Sequence, residues 1–490
     1  MHQYKKQRVG LYLLLFALLW LSGCSTGFFF ADRTTPEITL GQLADSLLIA
    51  PLQKSGASVS LCVSTINGET LIEHDAERLM VPASVQKLAL AADALYFLPE
   101  DFRWRTPVYT TGEVDSNGVL HGDLQITGSW DPSLSGDKPY MDWPWRHLHS
   151  WADILSALGL KHIEGSLVAV SDIYLPGGWE VEDLPQRYAP AISQLTWNDG
   201  LITTWAGGFD SYEVWEVWPT RQWWQNDHKP DRLKYEVEVQ SDNLKKVFYS
   251  PKGDDKDILW PGEDKTKRWC SPDPRLLTLD AFRQALRQFG ITGGDSSEII
   301  LTSEPRHPSG IGFVHTSEKI TPILTSMMKT SNNGWAEQIA MTVTAEVVGA
   351  PEKYPHWPVV LDSLRIETLG VKGVDACGMA RKNNISTKTL NELLLKSYIR
   401  WDNRWLSLLP KANERNSTLY KRLESVEGRV IAKTGSLSRC RSLAGYVMSE
   451  EKPIAAFSII VNNSPMSPQD NIDKFVESLV YILDNNYPAE

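Results

Sequence analysis

Cysteine is scarce, with five in 490 residues and no Cys-x-x-Cys pair. That excludes a small disulfide-stapled fold and leaves no usual zinc-ligand spacing. Positive charge is also in deficit: 49 Lys and Arg stand against 60 Asp and Glu, for a net charge of −11. Nucleic acid is therefore excluded as a partner, because neutralising phosphates takes clustered cations. An anionic membrane surface is disfavoured on the same ground. Repeats and low-complexity tracts are absent, and past Leu21 no apolar run reaches the roughly 20 residues of a membrane span. What remains is an ordinary globular composition, 42% apolar and 22% charged. The length suits two to four domains of about 150 residues each.

The N-terminus opens with Lys5, Lys6 and Arg8, continues with an apolar run from Val9 to Leu21, and closes on Leu21-Ser-Gly-Cys24. A basic head, a short apolar stretch and small residues describe a secretory signal peptide. Leu-Ser-Gly-Cys resembles the lipobox of bacterial lipoproteins, which implies a signal peptide over residues 1–23 and a lipid-anchored Cys24. Ser25, where an Asp would retain the chain, resembles an outer-membrane sorting signal on the periplasmic side. A short N-terminal anchor is the alternative. Export permits disulfides, and Cys62, Cys270, Cys377 and Cys440 allow three connectivities or four free thiols.

Leu40, Leu43, Leu47 and Leu48 have helical spacing, and Ser58–Thr65 and Thr70–His74 flank an Asn67-Gly68 turn as a hairpin. An Ala- and Leu-rich helix follows Pro82. Near the other end, three strands begin at Gly428, Ser442 and Ile454, and a helix runs from Asn471 to Leu483. Strands and a helix at each terminus predict an α+β fold, one antiparallel sheet closed by both ends of the chain and covered by helices. Fourteen of the 19 Trp lie between Trp104 and Trp269, in a region that reads as one or two inserted domains whose Trp fill cores.

Three short motifs carry chemistry. Ser84-Val-Gln-Lys87 opens the Ala-rich helix, where i,i+3 spacing puts the amine within reach of the hydroxyl. The helix N-terminus favours developing negative charge on Ser84, and the apolar surroundings desolvate Lys87, lowering its pKa towards that of a base. Ser-x-x-Lys recurs at Ser135, Ser326 and Ser449, so alone it says little. Lys433-Thr434-Gly435 occurs once, ends a strand, and offers a cation to a carboxylate beside a glycine that admits substrate. For the middle motif, Ser331-Asn-Asn333 precedes an apolar helix. The competing Ser241-Asp-Asn243 sits between alternating strands and reads as a hairpin turn.

The ordered trio Ser-x-x-Lys, Ser-x-Asn, Lys-Thr-Gly is a signature of class A β-lactamases and penicillin-binding proteins. The wider stretches Val81–Lys87, Gly128–Leu134, Ser331–Glu337, Asp375–Arg381 and Gly428–Ser436 resemble the D-alanyl-D-alanine carboxypeptidase/endopeptidase family of class C low-molecular-mass penicillin-binding proteins. The resemblance implies a β-lactamase/transpeptidase-like catalytic domain over residues 24–99 and 311–490. Domain II is expected over 100–198 and 271–310, and domain III over 199–270, both inserted between the first two motifs. It implies peptidoglycan stem peptides as substrate, β-lactams as inhibitors, and no metal or organic cofactor. Ser84 is the expected nucleophile, Lys87 its base, and Ser331, Asn333 and Lys433 complete the catalytic set. Thr434, Gly435, Ser436 and Ser438 are expected to bind substrate, with Asp131 and Arg381 recognising a diaminopimelyl end. Asp131 could instead cap a turn before Pro132. A β-lactamase, or a lipid-anchored peptidoglycan-binding protein without catalysis, are the alternatives. The chain departs from the family at Val85, usually Asn, and in Asp375-Ala-Cys-Gly-Met-Ala-Arg381, where Cys377 replaces Ser. Cys377 near the site and Cys440 just past Gly435 suggest a bridge between them.

Overall fold

The computed structural model describes residues 39–486, except 136–144, 175, 181–182, 184–185, 207–213, 219–232, 240–244, 252–264, 272, 295–299 and 350–353; within 202–269 only backbone pairing is described. The signal segment and Cys24 lie outside these residues. Among the described residues no helix is long and apolar enough to cross a membrane.

Both ends of the chain build one sheet. Its strands are β1 (Ser58–Thr65), β2 (Thr70–His74), β3 (Val430–Leu437), β4 (Cys440–Ser449) and β5 (Lys452–Asn462). They run in the order β3-β4-β5-β1-β2, every pair antiparallel. Strands of period two that are covered on both faces must be apolar at nearly every position, and β5 is. Its Ala456 and Ile460 pack with one cluster while Phe457, Ile459 and Val461 pack with the other. The first cluster holds α1 (Lys87–Phe97), α2 (Ile320–Thr330), α3 (Asn333–Val348) and α4 (Thr387–Leu406). The second holds α5 (Gln469–Asn486) and the helical run from Leu40 to Lys54. α1 stops at Leu98, which is extended because Pro99 follows.

A second five-stranded sheet lies in the insertion and includes Arg105–Thr110, Leu124–Thr127 and Leu167–Val170. Gly312–Thr316 pairs with Arg105–Thr110 in this sheet, so the strand after residue 311 joins this sheet rather than the one built by the two ends of the chain. Trp145, Trp151 and Trp197 fill the insertion's own core, while Trp104 and Trp179 pack into the cluster around α1. For these residues the Trp excess is core packing. Leu233–Val239 and Lys245–Pro251 pair as antiparallel strands on either side of Ser241, which itself lies outside the described residues.

The suggested Cys377–Cys440 bridge is not formed: Cys62, Cys270, Cys377 and Cys440 are all free and buried. Each thiol is held elsewhere. Cys440 Sγ donates to Val81 O at 3.3 Å and accepts from Asn462 Nδ2 at 3.1 Å. Cys377 Sγ lies 3.5 Å from Asp375 Oδ2.

Candidate active site

Ser84 belongs to a single 3-10 turn, Ala83–Gln86, that leads into α1. Ala83 enters this turn at φ +52°, a left-handed conformation that alanine adopts only when its surroundings impose it. Two glycines impose it. A Cβ on Gly378 would stand 2.1 Å from Ala83 O, and one on Gly435 would stand 2.8 Å from Pro82 O and 3.0 Å from Ser84 N. Ser442 Oγ also donates to Pro82 O at 2.6 Å. Gly435 therefore lets β3 close on the turn that presents Ser84.

Lys87, one helical turn on, is fully buried. Its Nζ is 2.7 Å from both Asn333 Oδ1 and Cys377 O, and 3.0 Å from Ser84 Oγ. Burial holds the amine below the usual lysine range, with the Asp375 charge opposing it. Asn333 Oδ1 and the Cys377 carbonyl each accept from the amine at 2.7 Å, and its remaining position is directed at Ser84 Oγ.

The Cys377 carbonyl, which also accepts from Ser84 Oγ at 3.3 Å, is fixed by two buried carboxyl groups. Glu337 Oε1 accepts from the Ala376 and Cys377 N–H groups at 3.1 and 2.8 Å. Asp375 accepts from Gly378 N, Ala380 N, Asn383 Nδ2 and Trp179 Nε1 at 2.7–2.9 Å. Burial, then the Asp375 charge, push Glu337 up to about 8, so it is largely protonated at neutral pH. Glu337, Asp375 and Cys377 form a group spaced as metal ligands could be, all buried; both Asp375 oxygens and Glu337 Oε1 are engaged by these donors, while Glu337 Oε2 has no hydrogen-bond partner among the described residues. Motif reading gave Glu337 and Asp375 no role. The available signal was helical spacing, since Glu337 lies four residues beyond Asn333 on the same side of α3.

Ser331 caps α2 in the left-handed conformation, φ +59°, and Asn332 then caps α3 by accepting from Trp335 N at 3.0 Å. This pair of caps turns the chain so that Ser331 and Asn333 face β3 and α1 together. Lys433, fully buried, donates from Nζ to Ser331 Oγ at 2.8 Å and to Thr434 O at 2.9 Å. Burial first, and then the nearby Lys87, hold its amine well below the usual range. Asn333 Nδ2 donates to Tyr188 O at 2.8 Å, which ties an inserted loop to the cleft. Thr434 Oγ1 donates to Thr418 Oγ1 at 2.7 Å. Ser84, Lys87, Ser331, Asn333 and Lys433 thus share one cleft with Thr434 and Gly435 beside them, and Ser436 is exposed where β3 leaves it.

Arg381 is exposed and donates to Ser438 O at 3.2 Å. Asp131 is placed differently from Arg381. It is 1% exposed, and its Oδ1 accepts from Ser133 N and Ser133 Oγ at 2.8 and 2.7 Å. That is the turn-capping role before Pro132. A carboxylate closed off in this way does not face a zwitterionic ligand. Its Oδ2 lies 3.8 Å from His315 Nε2, and burial raises its pKa to about 6.

A sheet with helices on both faces, crossed by a Ser–Lys pair, a Ser–Asn turn and a strand lysine, defines a protein of the serine β-lactamase and penicillin-binding type. The chain belongs to the D-Ala-D-Ala carboxypeptidase 3 (S13) family, whose model matches residues 42–481. It is 28% identical over 482 residues to a D-alanyl-D-alanine carboxypeptidase of Actinomadura sp. (strain R39), spanning 90% of this chain and 85% of that protein. It is 23% identical over 441 residues to the D-alanyl-D-alanine carboxypeptidase DacB of Haemophilus influenzae, spanning 83% of this chain and 86% of that one. The crystal structure of penicillin binding protein 4 from Haemophilus influenzae shares the fold, with a TM-score of 0.71 at 19% identity over 91% of this chain and 99% of that chain.

Proposed function

We propose that the protein is a serine D-alanyl-D-alanine carboxypeptidase and endopeptidase acting on peptidoglycan stem peptides from the periplasmic side of the envelope. In this reading it is held there, at the outer membrane, by lipid on Cys24. The observation that carries the catalytic part is the buried Lys87 amine, 3.0 Å from Ser84 Oγ with two acceptors already engaging its N–H groups.

Ser84 Oγ attacks the carbonyl of the terminal D-alanyl-D-alanine bond while Lys87 takes its proton. The backbone N–H groups of Ser84 and Ser436 hold the oxyanion, each such donor being worth about 10²–10³ in rate. Ser331, hydrogen-bonded to Lys433, hands a proton to the leaving amine as the C–N bond breaks. Asn333 orients Lys87 and the substrate amide. Thr434 and Ser436, with the Lys433 amine behind them, bind the terminal carboxylate. Water then hydrolyses the Ser84 ester and returns the proton to the enzyme. Arg381 with Ser438 meets the carboxylate of a diaminopimelyl side chain, whereas Asp131 keeps its structural role.

The names of the Actinomadura and Haemophilus relatives support this substrate, and the Haemophilus influenzae protein has a structure in complex with a β-lactam. The test is release of D-alanine from a pentapeptide muropeptide by the purified protein and by Ser84→Ala. The wild type should turn over, and the variant, folded by circular dichroism, should show no turnover above the uncatalysed rate. Equal turnover by both would remove Ser84 from the mechanism.

A further inference from the structure

Ser331 and Asn333 also line a pocket of about 290 Å³, together with Arg187, Tyr188, Asp199, Ser417 and Thr418. In the reading above, Ser331 serves the leaving amine and Thr434 the carboxylate next to it. Thr418 is hydrogen-bonded to Thr434 at 2.7 Å, so the pocket lies on the leaving-group side of the scissile bond.

Its walls are preformed. The Ser417–Thr418 wall is fixed by Thr418 N donating to Lys329 O at 3.0 Å, and by Lys329 paired with Glu414 at 2.5 Å. Asp199 is fixed in the lining by accepting from Trp335 Nε1 at 2.7 Å and from Asn332 Nδ2 at 3.3 Å. The Arg187–Tyr188 wall is fixed by the Asn333–Tyr188 bond at 2.8 Å. Such a space is near the lower end of the roughly 300–1,000 Å³ of ligand pockets, and it exceeds what one departing alanine occupies. At its mouth stands the exposed guanidinium of Arg187, with no carboxylate paired to it among the described residues.

We infer that this pocket is a subsite for the peptide carried by the leaving amine of a cross-linked substrate, and that Arg187 determines specificity for it by meeting a carboxylate of that second stem peptide. The inference rests on the serine DD-peptidase reading and deepens it. In a cross-linked dimer the leaving amine belongs to a diamino acid whose own stem peptide is acidic. The Ser84 ester forms as the C–N bond to that amine breaks, the amine gains the proton by way of Ser331, and the second stem departs through the pocket. In simple carboxypeptidase turnover the leaving group is D-alanine, which reaches Thr434 and Ser436 but stops short of Arg187. Arg187 therefore separates the two activities.

The test compares Arg187→Ala and Arg187→Lys with the wild type on two substrates, a monomeric pentapeptide muropeptide and a D,D-cross-linked muropeptide dimer. An exposed guanidinium–carboxylate pair supports about a five- to tenfold effect. Arg187→Ala should lower kcat/KM for the dimer by that factor and leave D-alanine release within about twofold, while Arg187→Lys recovers part of the loss. A dimer amidated on the second stem's carboxylates other than the one beside the leaving amine should be cut by the wild type as slowly as the native dimer is by Arg187→Ala. Equal loss on both substrates, no loss on the dimer, or a wild type that releases D-alanine but leaves the dimer intact would overturn the subsite. A wild type inactive on both would overturn the peptidase reading itself, and the subsite with it.

Discussion

Lys87 gains its basicity from position. It is sealed by α1 and α3, and its two N–H acceptors come from Asn333 and from a carbonyl that Glu337 and Asp375 hold in place. Glu337 is the residue on which this support can be tested through pH. Its folded-state pKa of about 8 lies above the ordinary glutamate value of about 4.3. Between those limits the folded chain holds a proton that the unfolded chain releases. Its contribution to stability is therefore complete below about pH 4 and is lost as pH rises through 8. Glu337→Gln keeps an acceptor for the Ala376 and Cys377 N–H groups and cannot ionise. The difference in Tm between variant and wild type should accordingly move in the variant's favour as pH rises from 5 to 8. A difference independent of pH would contradict a protonated Glu337. Ser84, Lys87, Ser331, Asn333 and Lys433 were readable as motifs because each belongs to a short, ordered string. Glu337 and Asp375 were not, since their role consists of contacts between segments about 40 residues apart.

At the scale of elements, β3 decides where the nucleophile stands. Its Gly435 is packed so closely on Pro82 and Ser84 that any side chain must push the strand and the Ala83–Gln86 turn apart. Backbone atoms, unlike the end of a flexible side chain, have no cheap way to yield. Gly435→Ala should slow acylation by a fluorescent penicillin at least about a hundredfold, the scale of losing one oxyanion donor, and should lower Tm as well. Acylation at the wild-type rate would show that the contact between strand and turn does not position Ser84. The elements themselves were largely readable. Period-two apolar strands at both ends, the Asn67-Gly68 turn and the Pro82 break all correspond to observed boundaries. The joining of Gly312–Thr316 to the inserted sheet was not, because an edge strand with alternating exposure carries no mark of which sheet it will extend. The free thiols make the same point. Cys377 and Cys440 stand near one site in sequence logic, yet each is bound to a different neighbour.

For the whole molecule, one body of chain from both termini encloses the cleft, while the insertion contributes the Tyr188 carbonyl to Asn333 and the Asp199 carboxylate to Trp335. The middle of the chain was readable as a Trp-rich composition shift and, through the family resemblance, as added domains, but its sheet pairing was not, because its strands are short and take their partners from distant segments. In the proposed reading, attachment to the envelope rests on the leader. Cys24→Ala should abolish labelling by radioactive palmitate and shift the protein from the membrane to the soluble fraction. Unchanged fractionation would remove the lipid from the account.

The central claim is that Ser84 is the atom that becomes acylated, activated by Lys87 and flanked by the Ser331–Lys433 pair. Mass spectrometry of the intact protein after exposure to benzylpenicillin, followed by peptide mapping, measures this directly. The account predicts a single adduct with the mass of the opened β-lactam on the peptide that contains Ser84. An unmodified protein, or an adduct mapped to Ser241 or any other serine, would contradict it.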